Sequence, residues 1–175
     1  MAQGIFALSV IALKNALVLH DIPNMASAFI HLTPCSATWT IRWWAPVIMK
    51  KWPGVFDLPN PNETMTETFS DIFLPAFKFY MLWWVLYTTW MLVHGRFLGN
   101  PHHFYDTLYH FTMRGGSGKS LGYNPQHPER IKPLILYMIG HAIVCNVSTA
   151  ISYVFWKDFY LHTALCVFLF AACTY

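Results

Sequence analysis

Long apolar runs separated by polar stretches organise this chain. A helix needs about 20 mostly apolar residues to cross the hydrocarbon core of a bilayer. Segments 72–94 and 134–155 meet this requirement, and shorter or more polar candidates lie at 4–20, 25–44 and 159–175. The pattern therefore predicts an all-α, multi-pass transmembrane helical bundle of about five spans, folded as a single membrane domain.

Two polar stretches, 45–70 and 96–133, are predicted to be loops, the second with a short helix at 101–113. The second loop carries more basic residues than the first. Its basic residues are Arg96, Arg114, Lys119, Arg130 and Lys132. Because loops rich in Lys and Arg stay on the cytoplasmic side, we expect the 96–133 loop to face the cytosol.

Composition supports a membrane protein and excludes some other classes. Of the 175 residues, 55% are hydrophobic and 11% are charged. Since charged residues make up about a quarter of an ordinary soluble domain, this share is typical of a membrane protein. The net charge of +3 does not suggest nucleic-acid binding. The 4 cysteines lack metal-site spacing and are predicted to be buried, reduced thiols.

The segment from Gly115 to Ser120, GGSGKS, has the ending of a nucleotide-binding loop. A complete loop of this kind needs a glycine where Met113 lies, a strand before it and a helix after it. The preceding residues lack the pattern of a buried strand, and prolines follow soon afterwards. The segment therefore does not predict an ATP or GTP site.

A polar stripe crosses the 25–44 segment. It consists of Asn24, His31 and Thr38, flanked by Ser27, Cys35 and Arg42. Polar groups inside a span are costly and tend to face a cavity or another helix. One interpretation is a reaction chamber with His31 near its middle, and the other is hydrogen bonding between helices. Arg42 could hold an anionic headgroup or extend towards the membrane surface.

His20 and Asp21 form a second candidate pair, since a carboxylate can raise the basicity of an imidazole. Adjacent residues on a helix do not face each other, however. The alternative is that Asp21 or Asn24 caps the next helix, with Pro23 near its start.

Further histidines occur later in the chain. His103, Asp106 and His110 share one helix face, a spacing that can bind a metal. The chain lacks the other histidine boxes of membrane desaturases, so we predict no metal and favour a solvated or interfacial amphipathic helix. His141 and Asn146 are predicted to form hydrogen bonds between helices.

Three short segments, NALVLHD, SAFIHLTP and IRWW, resemble the glycerophosphocholine acyltransferase family. The matching residues are Asn15, Leu17, Val18, His20, Ser27, Phe29, Ile30, His31, Pro34, Arg42 and Trp43. The run from Tyr105 to Thr107 resembles a later segment of the family, whereas Ala16 replaces a usual serine. Family members are longer, so we expect this chain to be an incomplete member.

The resemblance implies a multi-pass protein of the endoplasmic reticulum. Such proteins transfer a fatty acyl group from acyl-CoA to glycerophosphocholine and yield lysophosphatidylcholine. Acyl-CoA would be a co-substrate, with no further cofactor. The bilayer and these two substrates are the expected partners. The alternative function is a non-enzymatic lipid or solute transporter or scaffold, and a metal-dependent lipid oxidase is third.

Acyl transfer to a hydroxyl needs a base, oxyanion donors and groups that orient both substrates. We predict His31 as the base, because a neutral imidazole titrates near working pH. Asn15 or Asn24 could orient the imidazole or donate to the oxyanion. His20 is a further catalytic candidate.

Residues for substrate binding follow from the charges of glycerophosphocholine. Arg42 could bind the phosphodiester, and Trp39 and Trp43 could enclose the choline cation. Interfacial anchoring is the alternative role of these tryptophans. Tyr105 and Asp106 are also predicted to bind substrate.

The phosphates of CoA suggest a use for the glycine-rich segment. Successive glycine amides can form an anion-binding nest, and Arg114 and Lys119 lie beside it. We therefore predict these two residues as CoA-binding. The alternative is a plain flexible loop.

Overall fold

The structure is a computed structural model that describes residues 7–12, 21–58, 67–99 and 107–173. Every regular element within these ranges is a helix, which confirms the all-α prediction. The α-helices are α1 (Ala7–Ala12), α2 (Ile22–Trp43), α3 (Ala45–Lys51), α4 (Phe69–Val93), α5 (Leu108–Arg114), α6 (Gly116–Ser120), α7 (Ile131–Lys157) and α8 (Phe159–Cys173). A 3-10 helix, Gly95–Gly99, lies between α4 and α5.

The start of α2 follows from its first residues. The Asp21 carboxylate accepts a hydrogen bond from the Asn24 backbone N–H at 3.3 Å, and Pro23 lies in the first turn. A side-chain acceptor satisfies one of the unpaired N–H groups at a helix start, and proline lacks an N–H to lose there. The capping interpretation of Asp21 is therefore confirmed.

The end of α2 corrects the predicted 45–70 loop, because its first residues form α3. Pro46 lacks the N–H that would continue α2, and its ring crowds the carbonyl of Arg42. The chain breaks at Trp44, whose φ of −112° and ψ of 17° are not helical, and then starts a new helix in which proline is tolerated. Pro46 therefore separates two helices.

The predicted 96–133 loop also contains more helix than expected. The 3-10 helix, α5 and α6 all lie within or at the edge of it. The short helix expected at 101–113 is observed as α5 from Leu108 onwards, and residues 101–106 lie outside the described residues. Its N-cap is Thr107, whose hydroxyl accepts from the His110 N–H at 3.2 Å.

Two helices of the described ranges, α4 and α7, are long and apolar enough to cross a membrane. The five predicted spans are therefore not all shown. α8 is apolar but has only 15 residues. α2 has 22 residues, but the polar stripe lowers its mean hydropathy. Of the first predicted span, only α1 and its 6 residues are described.

The chain divides into two compact units. The first unit contains residues 1–76 and 145–175, and the second contains residues 77–144. The buried core of the first unit joins α1, α2 and α8 through Ala7, Val10, Leu32, Cys35, Leu169 and Cys173. The core of the second unit consists of Met91, Tyr109, Met113, Tyr123, Leu134 and Met138.

Candidate functional site

His31 is half-buried on α2 and hydrogen-bonds its own helix. Its Nδ1 lies 2.7 Å from the backbone oxygen of Ser27. A carbonyl can only accept, so Nδ1 carries the proton and donates it. In the neutral ring, Nε2 then holds the lone pair that can take up a proton. A base at His31 would therefore act through Nε2.

Arg42 is buried, with 3% of its surface exposed. The guanidinium carbon lies 5.0 Å from the ring centre of Trp43 and 5.6 Å from that of Trp156. Its Nε donates to the Trp156 backbone oxygen at 3.4 Å. The indole faces stabilise the charge. Arg42 therefore lies between two aromatic rings instead of extending to the surface, which was the alternative considered from the sequence.

Trp39 and Trp43 connect α2 to α8 through their indole N–H groups. Trp39 donates to the Thr163 hydroxyl at 2.8 Å, and Trp43 donates to Nδ1 of His162 at 3.1 Å. The edge of Phe159 also packs against Trp43, with ring centres 5.4 Å apart. Both tryptophans of the predicted choline site are thus part of the α2–α8 contact.

A groove of about 570 Å³ opens along the same contact. Among its lining residues are Trp39, Ser36, Thr40 and Thr163. Its volume is within the range of small-molecule sites, and the hydroxyls give an otherwise apolar wall a few polar groups. Of the predicted substrate-binding residues that are described, Trp39 lines this groove.

A cluster that the sequence prediction missed lies beside these tryptophans. The ligand atoms of Cys35, His162 and Cys166 all lie within 4.8 Å of one another, and the two sulfur atoms are 3.5 Å apart. Two thiolates and an imidazole are a donor set that suits zinc. All four cysteines are free thiols. Cys35, Cys145 and Cys173 are buried as predicted, whereas Cys166 is half-buried.

The hydrogen bonds of His162 favour a structural role for this cluster. The indole of Trp43 can only donate, so Nδ1 of His162 accepts, and the neutral ring keeps its proton on Nε2. The ring also hydrogen-bonds the backbone of Cys35. A metal on Nε2 would need that proton to move to Nδ1, which would break the indole bond. The donor set therefore does not fit a metal in this arrangement.

Of the other predicted catalytic and substrate-binding residues, Asn24 lies at the start of α2 and four lie outside the described residues. Asn24 is exposed, and its side-chain amide donates to the Asp21 carboxylate at 2.8 Å, so it belongs to the cap of α2. Asn15, His20, Tyr105 and Asp106 lie outside the described residues, as does His103.

The GGSGKS segment forms a helix with a specific ending. Gly122 has a φ of +77°, its N–H donates to Lys119 O at 3.1 Å, and the N–H of Tyr123 donates to Gly118 O at 2.9 Å. This pair of bonds is the Schellman ending of a helix, which favours glycine at the left-handed position. It directs Tyr123 into the core of the second unit. Of the predicted CoA-binding residues, Lys119 is exposed on this segment and Arg114 is exposed at the end of α5.

His110 is fully buried, which corrects the expectation of a solvated or interfacial helix at this position. Its Nε2 donates to the Gly95 backbone oxygen at 3.2 Å, and its Nδ1 lies 3.3 Å from the Tyr123 hydroxyl. Helix periodicity alone did not reveal these partners, because they come from segments outside α5. The predicted interhelical bond of His141 is confirmed, since its Nδ1 lies 3.0 Å from the Tyr80 hydroxyl on α4.

Hydrophobicity, which marks 159–175 as a candidate span, does not reveal the α8 residues of the site. His162 and Thr163 are adjacent on α8, Cys166 lies about one turn further along, and all three meet α2. A signal was present in the sequence: His162 and Cys166 have i, i+4 spacing, which places both on one helix face.

Two characterised plant proteins are similar to this chain. It is 30% identical over 97 residues to glycerophosphocholine acyltransferase 1 of Ricinus communis and 31% identical over 97 residues to glycerophosphocholine acyltransferase 1 of Arabidopsis thaliana. The matched region is 49% of this chain, and 23% and 24% of those proteins. The chain thus spans about a quarter of the length of the curated relatives it matches.

No family model and no solved structure matches the chain. The two similarities support a distant relationship to these acyltransferases.

Proposed function

We propose that this chain takes part in the transfer of a fatty acyl group from acyl-CoA to glycerophosphocholine, yielding lysophosphatidylcholine. The observation that carries the proposal is the similarity to two glycerophosphocholine acyltransferases over about half of the chain. The tautomer of His31 and the burial of Arg42 add support from the geometry. The transporter alternative has no comparable observation in its favour.

His31 acts as the general base in this proposal. Its Nε2 takes the proton of a glycerol hydroxyl while the hydroxyl oxygen attacks the thioester carbonyl carbon. The tetrahedral intermediate then expels the CoA sulfur, which takes up the proton held at Nε2 of His31 as the C–S bond breaks, so that the imidazole is neutral again. The bond from Nδ1 to Ser27 O fixes the ring so that Nε2 remains the basic nitrogen.

Arg42 is the proposed partner of the substrate phosphodiester. Its bond to Trp156 O uses one guanidinium N–H, and the remaining donors suit the oxygens of a phosphate. Trp39 presents an aromatic surface to the groove, where a quaternary ammonium would bind. Trp43 has a smaller share in this site, because the Arg42 cation already lies over its ring.

Other assignments extend the proposal beyond these contacts. Asn15 and His20 are proposed to assist catalysis, and Asn24, Tyr105 and Asp106 to bind substrate. We also propose an integral membrane protein of the endoplasmic reticulum in which α1, α2 and α8 join α4 and α7 as spans.

The test is an assay with membranes that contain this chain or its longer parent reading frame. Labelled glycerophosphocholine and oleoyl-CoA are supplied, and label that becomes extractable into organic solvent is measured. Replacing His31 by Ala should lower the CoA-dependent rate about 100-fold or more, the usual contribution of a general base. His94, an exposed histidine in the second unit, provides the matched control His94→Ala, which should keep the rate.

The two outcomes separate chemistry from folding. A large loss of rate with His31→Ala at unchanged protein level and unchanged melting temperature supports the base. Equal loss in both variants, or an active His31→Ala protein, contradicts it. Failure of the longer form to convert label would refute the acyltransferase itself.

A further inference from the structure

A cavity of about 810 Å³ lies in the second unit. Among its lining residues are three cations, Arg96, Arg130 and Lys132, and one carboxylate, Glu129. The volume is within the range of small-molecule sites. The charge lining this cavity therefore favours an anion.

Glu129 only partly offsets this positive charge. Its carboxylate lies 3.4 Å from Nδ1 of His127. Hydrogen bonding to its own backbone is the main cause that lowers the pKa of Glu129, and the neighbouring His127 and Arg130 lower it further. Glu129 is thus ionised at neutral pH, which leaves an excess of two positive charges from the cations and the carboxylate counted above.

Arg96 carries an unsatisfied donor. Its Nε is buried and has no hydrogen-bond partner among the described residues, while its guanidinium carbon lies 4.6 Å from the ring centre of Phe97. Leaving a buried donor on a charged group unpaired is costly. The guanidinium also carries four terminal N–H donors, and Arg96 is among the residues that line the cavity.

The start of α7 adds a second electrostatic contribution. Residues from Ile131 to Pro133 form its first turn and line the cavity. The first N–H groups of a helix have no partner within the helix, and the aligned peptide dipoles make this end positive. Pro133 lies in the first turn, where the lack of an N–H breaks no helical bond. The positive end of α7 and the three cations therefore both favour an anion in this cavity.

We propose that this cavity binds the phosphates of the nucleotide end of acyl-CoA. The inference rests on the proposed acyl-transfer function and names the place where its acyl donor is held. A pyrophosphate and a 3′-phosphate give that nucleotide several negative charges, which match Arg96, Arg130 and Lys132. Ser120, Leu121 and Gly122, which follow Lys119, also line this cavity. A phospholipid headgroup shares the phosphate chemistry and is the competing source.

The test is direct binding of CoA, adenosine 3′,5′-bisphosphate and dephospho-CoA to the purified full chain in nanodiscs of neutral phosphatidylcholine. Replacing Arg130 or Lys132, both exposed, by Gln should weaken CoA binding about tenfold each, as expected for the loss of a charged hydrogen bond. Arg96→Gln removes the third lining cation and should also weaken CoA binding. Lys50→Gln, an exposed lysine of α3, makes the same charge change outside the cavity and should alter affinity by less than about twofold.

Each result has a defined meaning. CoA affinity that stays unchanged in the Arg130 and Lys132 variants overturns the proposal. A loss of co-purified anionic lipid with unchanged CoA affinity assigns the cavity to a headgroup and also overturns it.

Activity distinguishes this inference from the acyltransferase proposal. If transfer occurs, the cavity variants should raise the KM for acyl-CoA and leave the KM for glycerophosphocholine unchanged. Binding of CoA without transfer would support the cavity as a CoA site and refute the acyltransferase proposal. Transfer with an unchanged KM for acyl-CoA would support the acyltransferase proposal and refute the cavity as a CoA site.

Discussion

His162 in the first unit and His110 in the second are both fully buried histidines. Each imidazole joins separate segments: His162 is bonded by Trp43 and lies on α8, whereas His110 bonds Gly95 and Tyr123. His162 links two helices, whose backbone groups are paired within each helix. His110 instead binds a carbonyl at the start of a 3-10 helix and a hydroxyl beyond the end of α6.

The two histidines differ in how stable the segments that they connect would be without the imidazole. Long helices such as α2 keep their internal hydrogen bonds, so a bond between side chains adds to an existing contact. The short elements around His110 have few internal bonds, since α5 has 7 residues and α6 has 5. Helices of that length are not stable alone. Buried polar contacts should therefore matter more for stability in the second unit than in the α2–α8 contact.

The largest effect is expected at Gly118 in α6. A Cβ atom at this position would lie 1.7 Å from the backbone oxygen of Met113, so the chain must move. Gly118→Ala should destabilise the protein by about 3 kcal/mol or more, because overpacking against backbone is not relieved by a side-chain rotation. The loss of stability can be measured as a fall in the midpoint temperature, at which half of the protein in detergent is no longer monodisperse.

Gly140 on α7 provides the matched control. A Cβ there meets nothing within 4 Å, and alanine favours a helix by about 1 kcal/mol over glycine. Gly140→Ala should keep or raise the midpoint. A Gly118→Ala protein as stable as Gly140→Ala would show that α6 is not held against Met113.

The second-largest loss of stability is expected at His110. His110→Phe fills the buried space but leaves the Gly95 carbonyl and the Tyr123 hydroxyl without this partner, which should cost about 3 kcal/mol. The midpoint should fall clearly, with accelerated proteolysis near α5 and α6. His94→Phe, at an exposed histidine, should leave both measurements unchanged.

His162→Phe is expected to cost less, about 1 to 2 kcal/mol. It removes the acceptor of the Trp43 indole and the bond to the Cys35 backbone, and such bonds contribute about 1 kcal/mol each between helices in a membrane, as proposed for α2 and α8. The same heat-induced midpoint compares it with His110→Phe. A larger loss at His162 than at His110 would reverse the comparison, and a His162-dependent zinc content in purified protein would overturn the tautomer argument.

Apolar patterning predicted the long helices α2, α4, α7 and α8, and the residues from Asp21 to Asn24 predicted the α2 cap, because both features depend on local sequence. The short helices α3 and α6 lie in segments predicted to be loops. The Asp21 cap involves a residue only three positions away. The polar stripe predicted that α2 faces other helices or a cavity. Partners distant in sequence were not predictable: Trp39 pairs with Thr163 across 124 positions, and His110 pairs with Gly95 across 15. Periodicity predicts which residues share a helix face, but it does not predict which residues of other segments contact that face.

The smallest effect tests whether side-chain bonds between α2 and α8 only add to an existing contact. Trp39→Phe keeps an aromatic ring in the groove and removes the N–H that donates to Thr163. Because the Thr163 hydroxyl also donates to Phe159 O at 2.7 Å, no buried donor is left unpaired there. The expected loss is about 0.5 kcal/mol, a shift near the limit of the heat-induced midpoint.

Activity provides the more sensitive measurement for Trp39→Phe. If the choline cation binds at this ring, phenylalanine should raise the KM for glycerophosphocholine severalfold, because tryptophan is the stronger cation–π partner. Thr163→Val removes the same hydrogen bond from the other side and should leave that KM unchanged. An equal rise in both variants would mean that the bond between the helices, not the aromatic face, shapes the groove.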